Sequence, residues 1–278
     1  IIVLPVYRGY LAALEMVQLA RFKVTATNLA AEQIEVVRNL SYENVGIENG
    51  IPDGVLQHTR SVVRDGTTFE LSTTVRNVDD PFDGTIGGNP SDSSPADYKQ
   101  VEVEVSCTNC PHDPIATTAR VAPKGLETSA GNGALFVEAF DADGEPVAQA
   151  DVHIENNATT SPIIIDDVTN NNGVLQIVDA PPLSNSYEIT VSKDGHTQSR
   201  TYEPGAPENP NPVKPHATVV EGGVTEVSFS IDRVSEMNIS SVTSTCAPVG
   251  SLSFGLRGSK LIGTGPDVYK YNETHQTD

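Results

Sequence analysis

The 278-residue chain carries 37 acidic against 17 basic side chains, a formal net charge of -20. A surface of that sign repels phosphate backbones and anionic lipid headgroups, which sets nucleic-acid and membrane-surface binding aside. Plentiful Gly and Pro, no Trp and two Met point to short strands joined by turns rather than to a helical bundle.

The single long helical pattern comes first, predicted over about residues 1–44. Ile1, Ile2, Val3 and Leu4 form an apolar run, followed by Pro5, Val6, Tyr7 and Arg8. A bilayer needs about 20 apolar residues, so this run is expected to be the last turns of a span that begins upstream, with Pro5 as a kink. Phe22, Ala26, Leu29, Val36 and Leu40 then recur three, four or seven residues apart and share one predicted face, which Gln33 interrupts. Glu35 and Arg38 are placed to pair at i,i+3. Gly46, Gly50 and Pro52 mark the end of the pattern. Starting at Ile1 without Met and stopping at Asp278 in mid-pattern, the chain is expected to be truncated at both ends, so its lack of a signal peptide carries no information.

Strand chemistry follows. Asp65-Gly66 sits between two runs of strand formers and predicts a two-residue hairpin. Phe69, Leu71, Thr73 and Val75 alternate with Glu70, Ser72, Thr74 and Arg76, so one face is buried. An Asp-, Gly- and Pro-rich loop runs from Asp79 to Asp97, then Val101, Val103 and Val105 alternate with Glu102 and Glu104, with Ile115–Val121 as the return strand. One helix on an antiparallel sheet is the predicted first domain, residues 1–128, with its sheet at about 55–125.

A linker at Thr128–Asn132 leads into a purely β stretch, residues 133–233. Turns at Asp143-Gly144, Asn172-Gly173 and Asp194-Gly195 divide short alternating strands, and Val224–Ile231 supplies the last after a Pro-rich loop, Pro204 to Pro215. Such spacing predicts a β-sandwich. Residues 234–249 form a second linker, and residues 250–278 are expected to open a further β module with no visible closing partner. The predicted fold class is therefore α+β followed by all-β.

The run Ala30-Ala31-Glu32-Gln33-Ile34-Glu35, with Arg38-Asn39-Leu40, Tyr42, Val45-Gly46, Gly50-Ile51-Pro52 and Gly54, resembles the type IV pilins and their pseudopilin relatives. The resemblance covers roughly residues 1–125. It implies a helix that is apolar at its start and amphipathic later, seated in the inner membrane before assembly and in a filament core afterwards. It also implies identical or related pilin subunits and the inner-membrane assembly machinery as partners, and a cell-surface location. Leu11, Leu14, Phe22, Leu29, Val36 and Leu40 are the expected helix-packing residues. The second stretch resembles the carboxypeptidase regulatory-like, transthyretin-like β-sandwich. That likeness runs through Gly133, Leu135, Val137, Asp143-Gly144-Glu145-Pro146-Val147, Asn172-Gly173 and Tyr187, Ile189, Val191, Lys193 and Gly195. It implies an accessory module without catalysis.

Several constellations carry other chemistry. Cys107-Thr108-Asn109-Cys110 reads first as a small disulfide staple at a hairpin end, with free thiols as the alternative. It follows a strand instead of opening a helix, which disfavours a redox site, and it lacks the second ligand pair a structural zinc needs. Cys246 is left to pair beyond Asp278. Asp79, Asp80, Asp83, Asp92 and Asp97 share one loop, an oxygen-rich set that suits calcium but does not match the EF-hand spacing; a solvated acidic loop is the plainer reading. The six histidines are scattered, with no HExxH, GxSxG or P-loop pattern. Asn157, Asn238 and Asn272 open glycosylation-type triplets short enough to arise by chance. No catalytic residue, metal or cofactor is expected. The leading expectation is a structural or minor filament subunit displaying its sandwich outward. A membrane-anchored adhesin and the accessory region of a larger secreted enzyme are the alternatives.

Overall fold

The computed structural model describes residues 3–92, 94–107, 113–123 and 131–277. Expectations that rest on Ile1, Ile2, Cys110, Pro111 and Thr128 lie outside the described residues, as do the side chains of Val3, Pro5 and Val6. The chain divides into two compact units, Ile1–Asn132 with Ile177–Ala180, and Gly133–Gln176 with Pro181–Asp278.

The first unit is one helix on one sheet. Helix α1 spans Val3–Arg38, 36 residues, or about 54 Å at 1.5 Å per residue. Strong helix formers such as Ala30, Ala31, Glu32 and Gln33 fill its second half. Arg38 sits in its last turn, where a cation suits the carbonyl end, and pairs with Glu35 at 2.5 Å. Strands β1 (Thr59–Arg64), β2 (Thr67–Val78), β3 (Tyr98–Cys107) and β4 (Ile115–Val121) form an antiparallel meander in that order. Asp65 and Gly66 make the first hairpin, both with positive φ, at 50° and 76°. That geometry matches the right-handed twist of the flanking strands and fixes Arg64 opposite Thr67. The inward rows then fall into register: Leu71 faces Val105, Thr73 faces Val103, and Val75 faces Val101.

Onto these rows α1 lays Phe22, Ala26, Leu29, Ala30, Ile34 and Val37, all buried. The Phe22 ring stacks on Phe69 with centroids 5.6 Å apart. Gln33 is buried within this face and accepts a hydrogen bond at 3.2 Å from Arg60 Nη2 of β1. The stripe expected through Val36 therefore runs through Ile34 and Val37. At about 100° per residue, Val37 lies about 20° round the helix from Ala26, whereas Val36 lies about 80° away, and Val36 is exposed.

The second unit is all-β. Strands β5 (Gly133–Phe140), β6 (Asp151–Asn156), β7 (Ile163–Val168), β8 (Val174–Ala180, whose last four residues are grouped with the first unit), β9 (Glu188–Ser192), β10 (Ser199–Arg200) and β11 (Val224–Ser230) form two sheets, ordered β10-β9-β6-β7 and β11-β5-β8. Alternation buries Leu135, Val137, Ile154, Ile189, Val191 and Phe229. Pairs with β6 are antiparallel, but β11 runs parallel to β5, with Val224 opposite Ala134 and Ser230 opposite Phe140. Tyr187 is fully buried; its hydroxyl donates to Pro181 O at 2.7 Å, and burial pushes the phenol up to about 12.

Beyond residue 250, β12 (Ser253–Arg257) pairs antiparallel with β15 (Asn272–Gln276), enclosing the small pair β13 (Leu261–Gly263) and β14 (Val268–Tyr269). This stretch belongs to the same compact unit as the sandwich. Val213 N–H donates to Ile262 O and Thr264 N–H to Asn211 O, each at 3.0 Å. Asn209 and Asn211 side-chain amides donate to the same two segments, at Ile262 O and Thr264 O.

Candidate functional site

The two halves of α1 live in different surroundings. Of the expected packing residues, Phe22 and Leu29 are buried against the sheet and Leu40 is half-buried at the helix end. Leu11, Leu14 and Val36 are exposed, at 39%, 42% and 45%. Every residue from Tyr7 to Gln18 is exposed. Among them are Tyr10, Met16 and Val17, and the charges in this stretch are Arg8 and Glu15. No helix among the described residues is long and apolar enough to cross a membrane.

Physical chemistry makes this half unusual. A helix with no tertiary partner is marginal in water even at about 12–15 residues, because most helical stability comes from burying one face. Here Tyr7, Tyr10, Leu11, Leu14 and Val17 recur at i, i+3, i+4 and i+7 spacing and share one face of the helix, and the chain leaves that face wet. Burying Leu11 or Leu14 against another body recovers about 1.5–3 kcal/mol apiece. The segment is built to be covered.

At the other end of the first unit, a loop is locked to the sheet by features that the helix pattern does not announce. Lys99, on an inward position of β3, is 6% exposed. Its ammonium donates to Val45 O at 2.6 Å and Tyr42 O at 3.0 Å and lies 4.6 Å from the Tyr42 ring centroid. Burial holds its pKa below the usual lysine value. Gly46 and Gly54 pack backbone to backbone: a Cβ on Gly54 would lie 2.4 Å from Gly46 N. Sequence parity was the available signal for Lys99, since it shares the odd-numbered face with Val101, Val103 and Val105.

The acidic loop does gather its carboxylates. Asp83, Asp92 and Asp97 each place a carboxylate oxygen within 4.8 Å of the others. Much of this loop is ordered by its own hydrogen bonds: Asp79 accepts from Ile86 N–H at 2.9 Å, Asp92 from Ser94 N–H at 2.8 Å, and Asp97 from Asp80 N–H. Asp79 Oδ1 and Asp92 Oδ2 are buried without a hydrogen-bond partner. Burial raises the Asp79 pKa, the Ile86 bond opposes this, and the neighbouring charges of Asp92, Asp97 and Asp83 raise it further. An all-oxygen donor set of this kind fits a hard divalent cation better than a thiophilic metal.

Cys107 is disulfide-bonded, and Cys246 is a free, exposed cysteine. Cys110, expected as the partner of Cys107, lies outside the described residues. The histidines stay dispersed. His153 pairs with Asp166 at 2.6 Å and His275 shares a hydrogen bond with Tyr271 Oη at 2.6 Å, both contacts exposed.

No family model and no curated protein matches the sequence. Among solved structures, hydroxyquinol 1,2-dioxygenase from Pseudomonas putida is 10% identical, over 37% of this chain and 57% of that one, with a TM-score of 0.25. BcpA, the major pilin subunit of Bacillus cereus, is 12% identical over 49% of this chain and 38% of that chain, with a TM-score of 0.24. A streptococcal ancillary pilin is 8% identical over 63% of this chain and 60% of that one, with a TM-score of 0.28. The chain thus spans 57%, 38% and 60% of the lengths of these three proteins. At such scores the likeness assigns neither family nor activity.

Proposed function

We propose that this protein is a non-enzymatic subunit of an extracellular filament of the type IV pilus or pseudopilus kind. In this reading the first half of α1 packs among the equivalent helices of neighbouring copies, in a head-to-tail helical lattice. The second half carries the four-stranded sheet, and the β-sandwich is available for contact with surfaces or partners. The single observation that supports this most is the apolar, uncovered stretch from Tyr7 to Gln18, continuous with a half that is packed.

The test uses Leu14→Asp in cells that produce the subunit. Leu14 makes no contribution to the buried core of the chain, so thermal unfolding of the purified variant should match the parent. Its amount in sheared filaments should fall at least about tenfold, since a buried unpaired carboxylate costs several kcal/mol. Equal incorporation refutes the proposal.

A second reading, a surface-binding module, draws on an aromatic group on the β12–β15 pair. The His275 ring lies 5.9 Å from that of Phe254 and 6.1 Å from that of Tyr271, and Arg257 lies 4.5 Å over Tyr269. Aromatic faces beside polar groups suit sugar stacking. A glycan array probed with the whole chain separates the readings, because Tyr271→Ala would abolish any signal without touching filament incorporation.

A further inference from the structure

Three lysines of the second unit have gathered where no acid accompanies them. Lys214 Nζ donates to Ser228 O and lies 4.3 Å from the Phe229 ring centroid. Lys260 Nζ donates to Ser230 O at 3.2 Å and to Ser199 Oγ at 3.4 Å. Lys270 Nζ donates to Gln198 O. Ser228 and Ser230 are alternate residues of β11, so their carbonyls lie about 7 Å apart along the strand. Gln198 and Ser199 lie at the start of β10. Both β10 and β11 are end strands of their sheets, and they lie against each other. The three ammonium groups therefore line one seam of the sandwich.

Their charges are uncompensated. In a chain with 37 acidic residues, none of the described carboxylates acts on these lysines. Burial lowers the pKa of all three, and the one other influence on Lys214 and Lys270 is the positive charge of Lys260. Lysine at a strand edge guards against unwanted pairing, which accounts for one cation per open edge. It does not account for three drawn together, since like charges at close range each disfavour the ionised state. The backbone carbonyls fix where the ammonium groups sit, so little side-chain freedom remains to be lost when a ligand arrives. Each ammonium carries three N–H donors; Lys214 and Lys270 each commit one to a backbone carbonyl, and Lys214 also faces the Phe229 ring, so neither ammonium spends all its donors on the protein's carbonyls.

The geometry points to a binding site for a doubly charged tetrahedral oxyanion, phosphate or sulfate, free or carried as an ester on a sugar, held by Lys214, Lys260 and Lys270. Its charge would balance the lysines, and its oxygens would take the unused donors.

Isothermal titration calorimetry on the whole chain tests this, with inorganic phosphate as the probe in sodium chloride buffers of matched ionic strength. Saturable single-site binding is expected. Lys260→Met and Lys270→Met should each weaken it by about tenfold or more, whereas Lys193→Met, on the Ala148 carbonyl away from the seam, should not change it. Glucose 6-phosphate forms the second arm: tighter binding than phosphate assigns a sugar-borne ester, and equal or weaker binding assigns the free anion. Should Lys260→Met fail to fold, the exposed Lys270→Met carries the same comparison. Heats no different from chloride, or unchanged affinity in a folded lysine variant, overturn the site.

Discussion

Lys99 shows how one side chain fastens a loop to a sheet. A charged group costs energy to bury, and this one is retained because two backbone carbonyls, Val45 O and Tyr42 O, meet it within 3.0 Å. Lys99→Met should therefore cost about 1–3 kcal/mol by leaving those carbonyls without their donor, read as a lower urea midpoint at pH 7. The pH dependence carries the sign of a depressed lysine. Its folded pKa lies below the unfolded value of 10.5, so between the two the unfolded chain binds more protons. The cost of burying the charge is present below the folded pKa and is relieved as pH rises towards 10.5. The stability of the parent relative to Lys99→Met should accordingly rise over that window; a flat difference would mean the ammonium is effectively solvated. Asp79 has the opposite chemistry, a carboxyl raised by burial and by three neighbouring aspartates. Asp79→Asn keeps an acceptor for Ile86 and removes one like charge, so it should stabilise the fold in metal-free buffer at pH 7, measured by differential scanning calorimetry. Destabilisation would show that the negative charge is used.

At the scale of elements, the sheet was readable and the helix only half so. A strand repeats every two residues, so Phe69, Leu71, Thr73 and Val75 declare their face within a few positions, and Asp65-Gly66 fixes the hairpin locally. A helix face is less sharply defined, since spacings of 3.5 and 3.6 residues per turn both fit a short stretch. The spacing pointed to Val36, and its neighbour Val37 is the residue that is buried. The choice is made by Arg60, whose guanidinium reaches Gln33 from 27 residues away and lets a polar side chain lie in the buried face. The parallel pairing of β11 with β5 was likewise hidden, because nothing local to Val224–Ser230 names a partner at Gly133–Phe140. The lysine seam draws on residues 198–270 and leaves no local motif. The turn after α1 offers a sharp test. A Cβ on Gly54 would lie 2.4 Å from Gly46 N and 2.6 Å from Gly46 Cα, both backbone atoms that cannot swing aside. Gly54→Ala should cost about 1–3 kcal/mol as the loop is forced apart, and a melting temperature within a degree of the parent would contradict that packing.

For the molecule as a whole, the question is what covers the first half of α1. Residues 7–18 are exposed in the chain, although apolar side chains such as Leu11 and Leu14 favour burial and an unsupported helix frays. If equivalent helices supply the cover, the segment should change from the least protected to among the most protected parts of the protein on assembly. Hydrogen–deuterium exchange of residues 7–18 in the isolated chain and in purified filaments measures this directly. Exchange within seconds is expected in the isolated chain and strong retardation in the filament, with the β5–β11 region unchanged between the two. Equally fast exchange of residues 7–18 in both states would contradict it.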